Sequence, residues 1–147
     1  IDKDRQPDAL AHVRAALKTG GEFVFEMGGK GNAAAIHAAL KEEILARGGT
    51  YRHDFFFPDE AEYSALLEAA GFEVRYASLF ERPTPLKGED GIADWIGVFA
   101  KNELSGLPEG QRRAAALAAQ ERLRGSLFAD GIWTADYVRL RMKAVAV

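Results

Sequence analysis

A short apolar run between glycine pairs constrains the fold more than any other feature of the sequence. Residues 22–27 read Glu-Phe-Val-Phe-Glu-Met, with Gly20 and Gly21 before them and Gly28 and Gly29 after them. Aromatic and β-branched residues favour a strand, and glycines favour breaks at its two ends. Because apolar side chains fall on both sides of the run, we expect a strand that is buried on both faces, as in a parallel sheet.

Helical patterns flank this strand. Before it, after Pro7, apolar residues recur at helical spacing at Leu10, Val13 and Leu17. After it, a glycine loop leads to a second helical pattern, for which we expect Asn32 to be the N-cap residue. Strand, glycine loop and helix in this order indicate an α/β fold.

Three further segments complete the pattern. Pro58 and Asp59 open a third helix that ends near Gly71, and residues 73–80 form a second strand. Residues 83–132 contain prolines and then helical patches, which predict a helical insertion. In residues 133–147 apolar and polar side chains alternate, which predicts one long strand with one more solvent-exposed face. We therefore divide the chain into a core at 1–82, a helical lid at 83–132 and a final core strand at 133–147.

Composition excludes several classes of function. The formal net charge of −3 leaves no excess of cations for a phosphate backbone, so we expect no nucleic-acid partner. The absence of cysteine excludes disulfides and thiolate metal sites and is consistent with a cytoplasmic protein. No apolar run reaches the roughly 18 residues that a membrane span requires, so we expect no membrane partner.

The number of strands raises a question about the edges of the sheet. A strand buried on both faces should lie inside a sheet, yet only two other segments are convincing strands. Proteins rarely leave an apolar strand edge unpaired, and Ile1 is not a methionine. We expect either that further strands precede Ile1 in a longer protein or that a partner chain, such as a second copy in a homodimer, covers this edge.

Two segments resemble a known family. Residues 8–21, which end in Ala-Leu-Lys-Thr-Gly-Gly, are similar to the helix and turn before the fifth strand of class I S-adenosylmethionine-dependent methyltransferases. Residues 57–74 are similar to the last crossover helix and the start of the sixth strand of that family. Residues 82–86, the helical block around Trp95, and residues 136–140 resemble a subgroup that acts on small molecules and carries an insertion between strands six and seven.

The resemblance implies a fold and an activity. The fold would be the C-terminal part of a Rossmann-like methyltransferase sheet, with three strands ordered five, seven, six and the last strand antiparallel. The family's cofactor motifs would lie upstream of Ile1, so that S-adenosylmethionine would be bound mainly by a missing N-terminal half. The intact protein would methylate a small-molecule acceptor, and this chain alone would be inactive. No S-adenosylmethionine ligand and no catalytic residue is assigned to this chain.

Six residues are candidates for the acceptor site. Glu26 and Asn32 flank the carboxyl end of a strand, where open α/β sheets bind ligands. Phe57 could form a pocket wall, and Arg82 either pairs with an anionic acceptor or is simply solvated. Trp95 and Trp133 in or beside the insertion either cover the substrate or pack the lid.

Other patterns leave alternatives open. Gly29, Gly31 and Ala34 fit a dinucleotide-binding fingerprint with Asp54 about 20 residues later, a weak signal for a nicotinamide-dependent oxidoreductase. A second alternative is a non-catalytic α/β module for ligand binding or dimerisation.

The histidines give no metal signal in the sequence. The adjacent His53 and Asp54 could form a catalytic base with its orienting carboxylate, but neighbours in an extended segment point apart, which favours an exposed polar pair. His12 and His37 lie in helical patterns without a second ligand at i+4. We therefore expect no metal site.

Overall fold

The computed structural model describes residues 1–147. A 3₁₀ turn at Lys3–Arg5 precedes the first helix, and the elements then follow in this order: α1 (Gln6–Ala16), β1 (Glu22–Gly28), α2 (Ala34–Ala46), α3 (Glu60–Ala69), β2 (Phe72–Glu81), β3 (Thr84–Leu86), α4 (Gly91–Phe99), α5 (Lys101–Leu104), α6 (Glu109–Arg122), α7 (Arg124–Leu127), β4 (Phe128–Ala129), β5 (Ile132–Ala135) and β6 (Val138–Ala146). No helix is both long enough and apolar enough to cross a bilayer.

The chain divides into two compact units. The first comprises Ile1–Asn32, Phe55–Arg82 and Val138–Val147, and the second comprises Ala33–Asp54 and Pro83–Tyr137. Arg82 ends a segment of the first unit, and residues 33–54 group with Pro83–Tyr137 in the second unit. The reason is that the apolar side chains of α2 pack into the core that α4 and α6 build.

The first unit is a three-stranded sheet with the order β1, β6, β2. β6 pairs antiparallel with both neighbours. β1 and β2 are therefore parallel to each other, and their carboxyl ends lie at the same edge of the sheet. This geometry places the residues after Gly28 and the residues around Arg82 on one side of the unit.

One face of this sheet is covered and the other is not. Phe23, Phe25 and Met142 pack with Leu10 of α1 and Leu67 of α3 in a single apolar cluster. On the opposite face Val24 is 62% exposed and Tyr76 is 51% exposed. The prediction that the first strand is buried on both faces is therefore wrong for this chain, in which only β6 pairs with β1.

The second unit packs helices against a small sheet. Its strands have the order β3, β5, β4, and both pairs are antiparallel. The core is formed by fully buried side chains of α2, α4 and β5, including Ile36, Leu40, Ile92, Ile96 and Trp133. The insertion therefore has an apolar core of its own.

The tail is not one long strand. Residues 132–135 and 138–146 form β5 and β6, which belong to different sheets. The break lies at Asp136, whose backbone carbonyl accepts a hydrogen bond from Ala33 N at 3.0 Å and whose Oδ2 accepts one from Ala35 N at 2.8 Å. These bonds hold Asp136 at the start of α2 and divert the chain from a continuous ladder.

The same contacts correct the expected cap of α2. The N-cap residue is Ala33, in a left-handed conformation with φ 53°, and Asp136 supplies the capping carboxylate. The Asn32 Oδ1 atom instead accepts a hydrogen bond from Val138 N at 3.0 Å. Asn32 therefore fixes the start of β6 rather than the start of α2.

Candidate functional site

The glycine loop after β1 is fixed by backbone hydrogen bonds. Gly29 N donates to the carbonyl of Val138, and Lys30 N donates to the carbonyl of Pro58, each at 3.0 Å. The Lys30 ammonium group lies 3.4 Å from the Asp59 carboxylate at the start of α3. The loop therefore has a defined shape at the carboxyl end of β1.

Glu26 is the electrostatic centre of this end of the sheet. Its carboxylate lies 2.7 Å from Arg82 Nη1, 3.1 Å from Arg139 Nε and 2.7 Å from Arg141 Nη2. Hydrogen bonds from Arg141, and next from Arg139, lower the pKa of Glu26 to about 2. Three guanidinium groups around one carboxylate leave two formal positive charges in excess. Glu26 and Arg82, both candidates from the sequence, are therefore direct partners.

Phe57 and Asn32 meet beside Gly28. A Cβ atom at Gly28 would lie 2.7 Å from the Phe57 ring and 3.0 Å from Asn32 Nδ2, so only glycine permits this approach. The Phe57 ring stacks on Phe55 with 5.4 Å between centroids and 10° between planes. Asn32 is 8% exposed. Four of the six sequence candidates thus lie at the carboxyl ends of β1 and β2 or in the loops that join them.

The two tryptophans lie in the second unit. Trp133 is fully buried, its Nε1 donates to the carbonyl of Glu89 at 2.8 Å, and the Arg124 guanidinium lies 5.0 Å above its ring. Trp95 is 8% exposed and donates from Nε1 to the Tyr137 hydroxyl at 2.6 Å. These contacts agree with the packing interpretation of both residues.

A second polar cluster contains two of the three histidines. Asp54 lies 3.7 Å from Arg52. The His53 Nδ1 atom is 3.3 Å from the carboxylate of Glu103, and Nδ1 of His37 is 3.0 Å from the same carboxylate. Sequence analysis missed this cluster because Glu103 lies 50 and 66 residues from its two partners. No spacing pattern connects such distant positions.

The hydrogen bonds at the start of α2 bear on the dinucleotide-binding interpretation. In that fingerprint the pyrophosphate binds to free backbone N–H groups at the start of the helix. Here the N–H groups of Ala33 and Ala35 donate to Asp136. The place of the phosphate is taken by a carboxylate of the chain itself, which argues against nucleotide binding at this loop.

Comparisons with known proteins point to one class. No family model matches the chain. The chain is 30% identical over 144 residues to "Uncharacterized methyltransferase C70.08c" of Schizosaccharomyces pombe, a match that covers 95% of this chain and 55% of that protein. The chain thus spans about half the length of this curated relative.

A solved structure agrees with this chain at the level of the fold. A candidate methyltransferase of Bacillus halodurans C-125 matches with a TM-score of 0.51 and 14% identity, over 96% of this chain and 62% of that one. A second match is a Haemonchus contortus phosphoethanolamine N-methyltransferase 2 in complex with phosphomonomethylethanolamine and S-adenosylhomocysteine. This match covers 95% of this chain and 29% of that chain. Its TM-score of 0.37 at 14% identity is too low to indicate a shared fold.

Two statements follow from these matches. The chain is an α/β protein whose fold is similar to that of a methyltransferase structure. Its sequence is similar to that of a curated methyltransferase.

Proposed function

We propose that this chain is the C-terminal, acceptor-side part of an S-adenosylmethionine-dependent methyltransferase that acts on a small molecule. In this proposal β1, β6 and β2 are strands five, seven and six of the complete sheet. The observation that supports it most directly is the antiparallel β6 between two parallel strands, together with the unpaired outer edge of β1. A fourth strand beside β1 would cover that edge.

The cofactor would be bound mainly outside this chain. The curated relative extends well beyond the matched region, because the match covers 55% of it. At the start of α2, the N–H groups of Ala33 and Ala35 already donate to Asp136. We therefore assign no S-adenosylmethionine ligand to these residues, and we expect the chain alone to be inactive.

The acceptor would lie against the carboxyl ends of β1 and β2. There Glu26 holds Arg82 in place, Phe57 supplies an aromatic wall, and Asn32 fixes the loop and the start of β6. The excess of guanidinium groups around Glu26 favours an acceptor that carries negative charge. Trp95 and Trp133 would act indirectly, because their contacts hold the insertion together.

The chemistry required of these residues is mainly positioning. The methyl group of a sulfonium is already electrophilic, so the protein must hold the acceptor atom in line with it and exclude water. Arg82 is the residue we expect to orient the acceptor, and Glu26 sets the position of Arg82 through their 2.7 Å contact.

Calorimetric titration of S-adenosylmethionine tests the proposal. The ligand is titrated into this chain and, separately, into the longer protein that includes its upstream segment. We expect binding by the longer protein and none by the chain alone. Absence of binding by the longer protein would refute the methyltransferase assignment, and tight binding by the chain alone would refute a cofactor site located upstream.

A further inference from the structure

The cluster of His37, His53 and Glu103 lies in the second unit. His37 belongs to α2, Glu103 to α5, and His53 to the segment that follows α2. The nitrogen and oxygen atoms that these three side chains offer all lie within 4.8 Å of one another. Three distant parts of the sequence thus converge on one point.

The burial of Glu103 makes this convergence chemically unusual. Its side chain is only 1% exposed, and the His37 side chain is 7% exposed. A buried carboxylate is costly unless cations or several hydrogen bonds compensate its charge. Two neutral imidazoles could each donate one hydrogen bond, whereas a divalent cation would compensate the charge directly.

The residue types and distances suit Zn²⁺. Zinc binds imidazole nitrogen and carboxylate oxygen at about 2.0–2.2 Å, which places neighbouring ligands of a tetrahedral site about 3.3–3.5 Å apart. Glu103 already lies 3.0 Å from His37 Nδ1 and 3.3 Å from His53 Nδ1. Both separations are close to those of a tetrahedral site, and all three ligand atoms lie within 4.8 Å of one another.

The surroundings also resemble those of a metal site. The Tyr51 hydroxyl lies 3.5 Å from His53 Nδ1, so a polar side chain borders the cluster on this side. The Trp95 ring meets His37 edge-on at 5.7 Å and forms an apolar wall.

The site has an entry path on one side. The side chain of His53 is 35% exposed, whereas the other two side chains are buried. From this geometry we infer that His37, His53 and Glu103 form a Zn²⁺-binding site of the second unit, closed by α2 and α5 and open to solvent at His53. Three protein ligands leave a fourth position for water or another small ligand.

Zinc titration of the full chain tests this site. After dialysis against a chelator, Zn²⁺ is added in a calorimeter to the wild-type chain and to Glu103→Gln, His53→Gln and His12→Gln. We expect one Zn²⁺ per chain in the wild type, and at least tenfold weaker binding in Glu103→Gln and His53→Gln. His12→Gln is the matched control, because His12 is the only other histidine and is exposed on α1; its binding should equal that of the wild type.

A second measurement distinguishes a defined coordination site from non-specific binding of the metal ion. Co²⁺ in place of Zn²⁺ should give the visible absorption of a four-coordinate site in the wild type and in His12→Gln, and this band should be absent from Glu103→Gln. Mg²⁺, which prefers octahedral oxygen ligands, should not compete. Circular dichroism verifies that each variant is folded, and His53→Gln, at a partly exposed position, provides the test if Glu103→Gln is not.

Two results would overturn the inference. One is the absence of stoichiometric Zn²⁺ binding by the wild-type chain, which would leave a hydrogen-bonded His-Glu-His network without metal. The other is binding that His53→Gln leaves unchanged or that His12→Gln weakens.

Discussion

At the scale of single residues, Glu26 shows how a surface carboxylate acquires a fixed role. It faces Arg82, Arg139 and Arg141, each within hydrogen-bonding distance, and these guanidinium groups hold its pKa at about 2, well below its ordinary value of 4.5. A carboxyl group whose pKa is lower in the folded state than in the unfolded state stabilises the fold above the unfolded pKa. Its contribution is lost as the pH falls from about 4.5 towards 2.

The substitution Glu26→Gln tests this linkage. It removes the negative charge and leaves three guanidinium groups without their common partner, so we expect a lower urea midpoint at pH 7. We also expect the midpoint difference between wild type and variant to shrink as the pH falls from 4.5 towards 2, because the wild type then loses the same interaction. Urea unfolding followed by circular dichroism at pH 7, 4 and 3 measures both effects.

Glu68→Gln is the control for this experiment, since Glu68 is an exposed carboxylate on α3 in the same unit. Its urea midpoint should follow that of the wild type at every pH. The difference in urea midpoint between Glu26→Gln and wild type could instead stay constant from pH 7 to pH 3. That result would show that the interaction between the Glu26 charge and the arginines does not stabilise the fold.

At the scale of elements, the sequence predicts helices and strands whose defining residues lie close together along the chain. The third helix is confirmed, because its cap Asp59 accepts from Glu62 N at 2.9 Å, three residues along the chain. The sequence predicts the wrong cap for α2, because the capping Asp136 lies 101 residues from Ala35. It also predicts one strand for the tail, because the alternation of apolar and polar residues continues through the break at Asp136.

The substitution Asp136→Ala tests the cap. It removes the carboxylate that accepts from Ala35 N, and loss of such a cap costs about 0.5–2 kcal/mol. We expect a loss of stability in this range, measured as a change in the free energy of unfolding in urea. Asp136→Asn keeps an acceptor oxygen in the same place and should recover most of the loss.

Asp54→Ala is the matched control, because Asp54 is an exposed aspartate of the same unit. We expect a change of less than about 0.5 kcal/mol, as for most surface substitutions. Equal losses in Asp136→Ala and Asp136→Asn would mean that the hydrogen bond to α2 is not the source of the effect.

At the scale of the whole molecule, the α/β class of the fold follows from the sequence, whereas the function of the candidate residues stays a prediction. Glu26, Asn32, Phe57 and Arg82 could be predicted together because the carboxyl ends of strands are where α/β folds place ligands. The cluster around Glu103 could not, since its members come from three elements without a common spacing. The sequence pattern was also unable to show which face of β1 would be covered, because that depends on which elements pack against it.

The unpaired edge of β1 gives the last prediction. Val24 is 62% exposed on this edge strand, and unpaired apolar edges promote association between chains. We expect this chain to self-associate in sedimentation velocity as its concentration rises, and Val24→Glu to reduce that association. Glutamate should not disturb the strand pairing within the chain, because it would lie opposite Lys143 of β6.

Val98→Glu provides the matched comparison, because Val98 is 60% exposed but lies on the helix α4 rather than on a strand. Its association should equal that of the wild type. The longer protein adds the decisive contrast: if an upstream strand pairs with β1, its self-association should not respond to Val24→Glu. Equal effects of the two valine substitutions on the short chain would exclude the β1 edge as the associating surface. A response of the longer protein to Val24→Glu would instead favour β1 as a dimerisation edge over β1 as the neighbour of a missing strand.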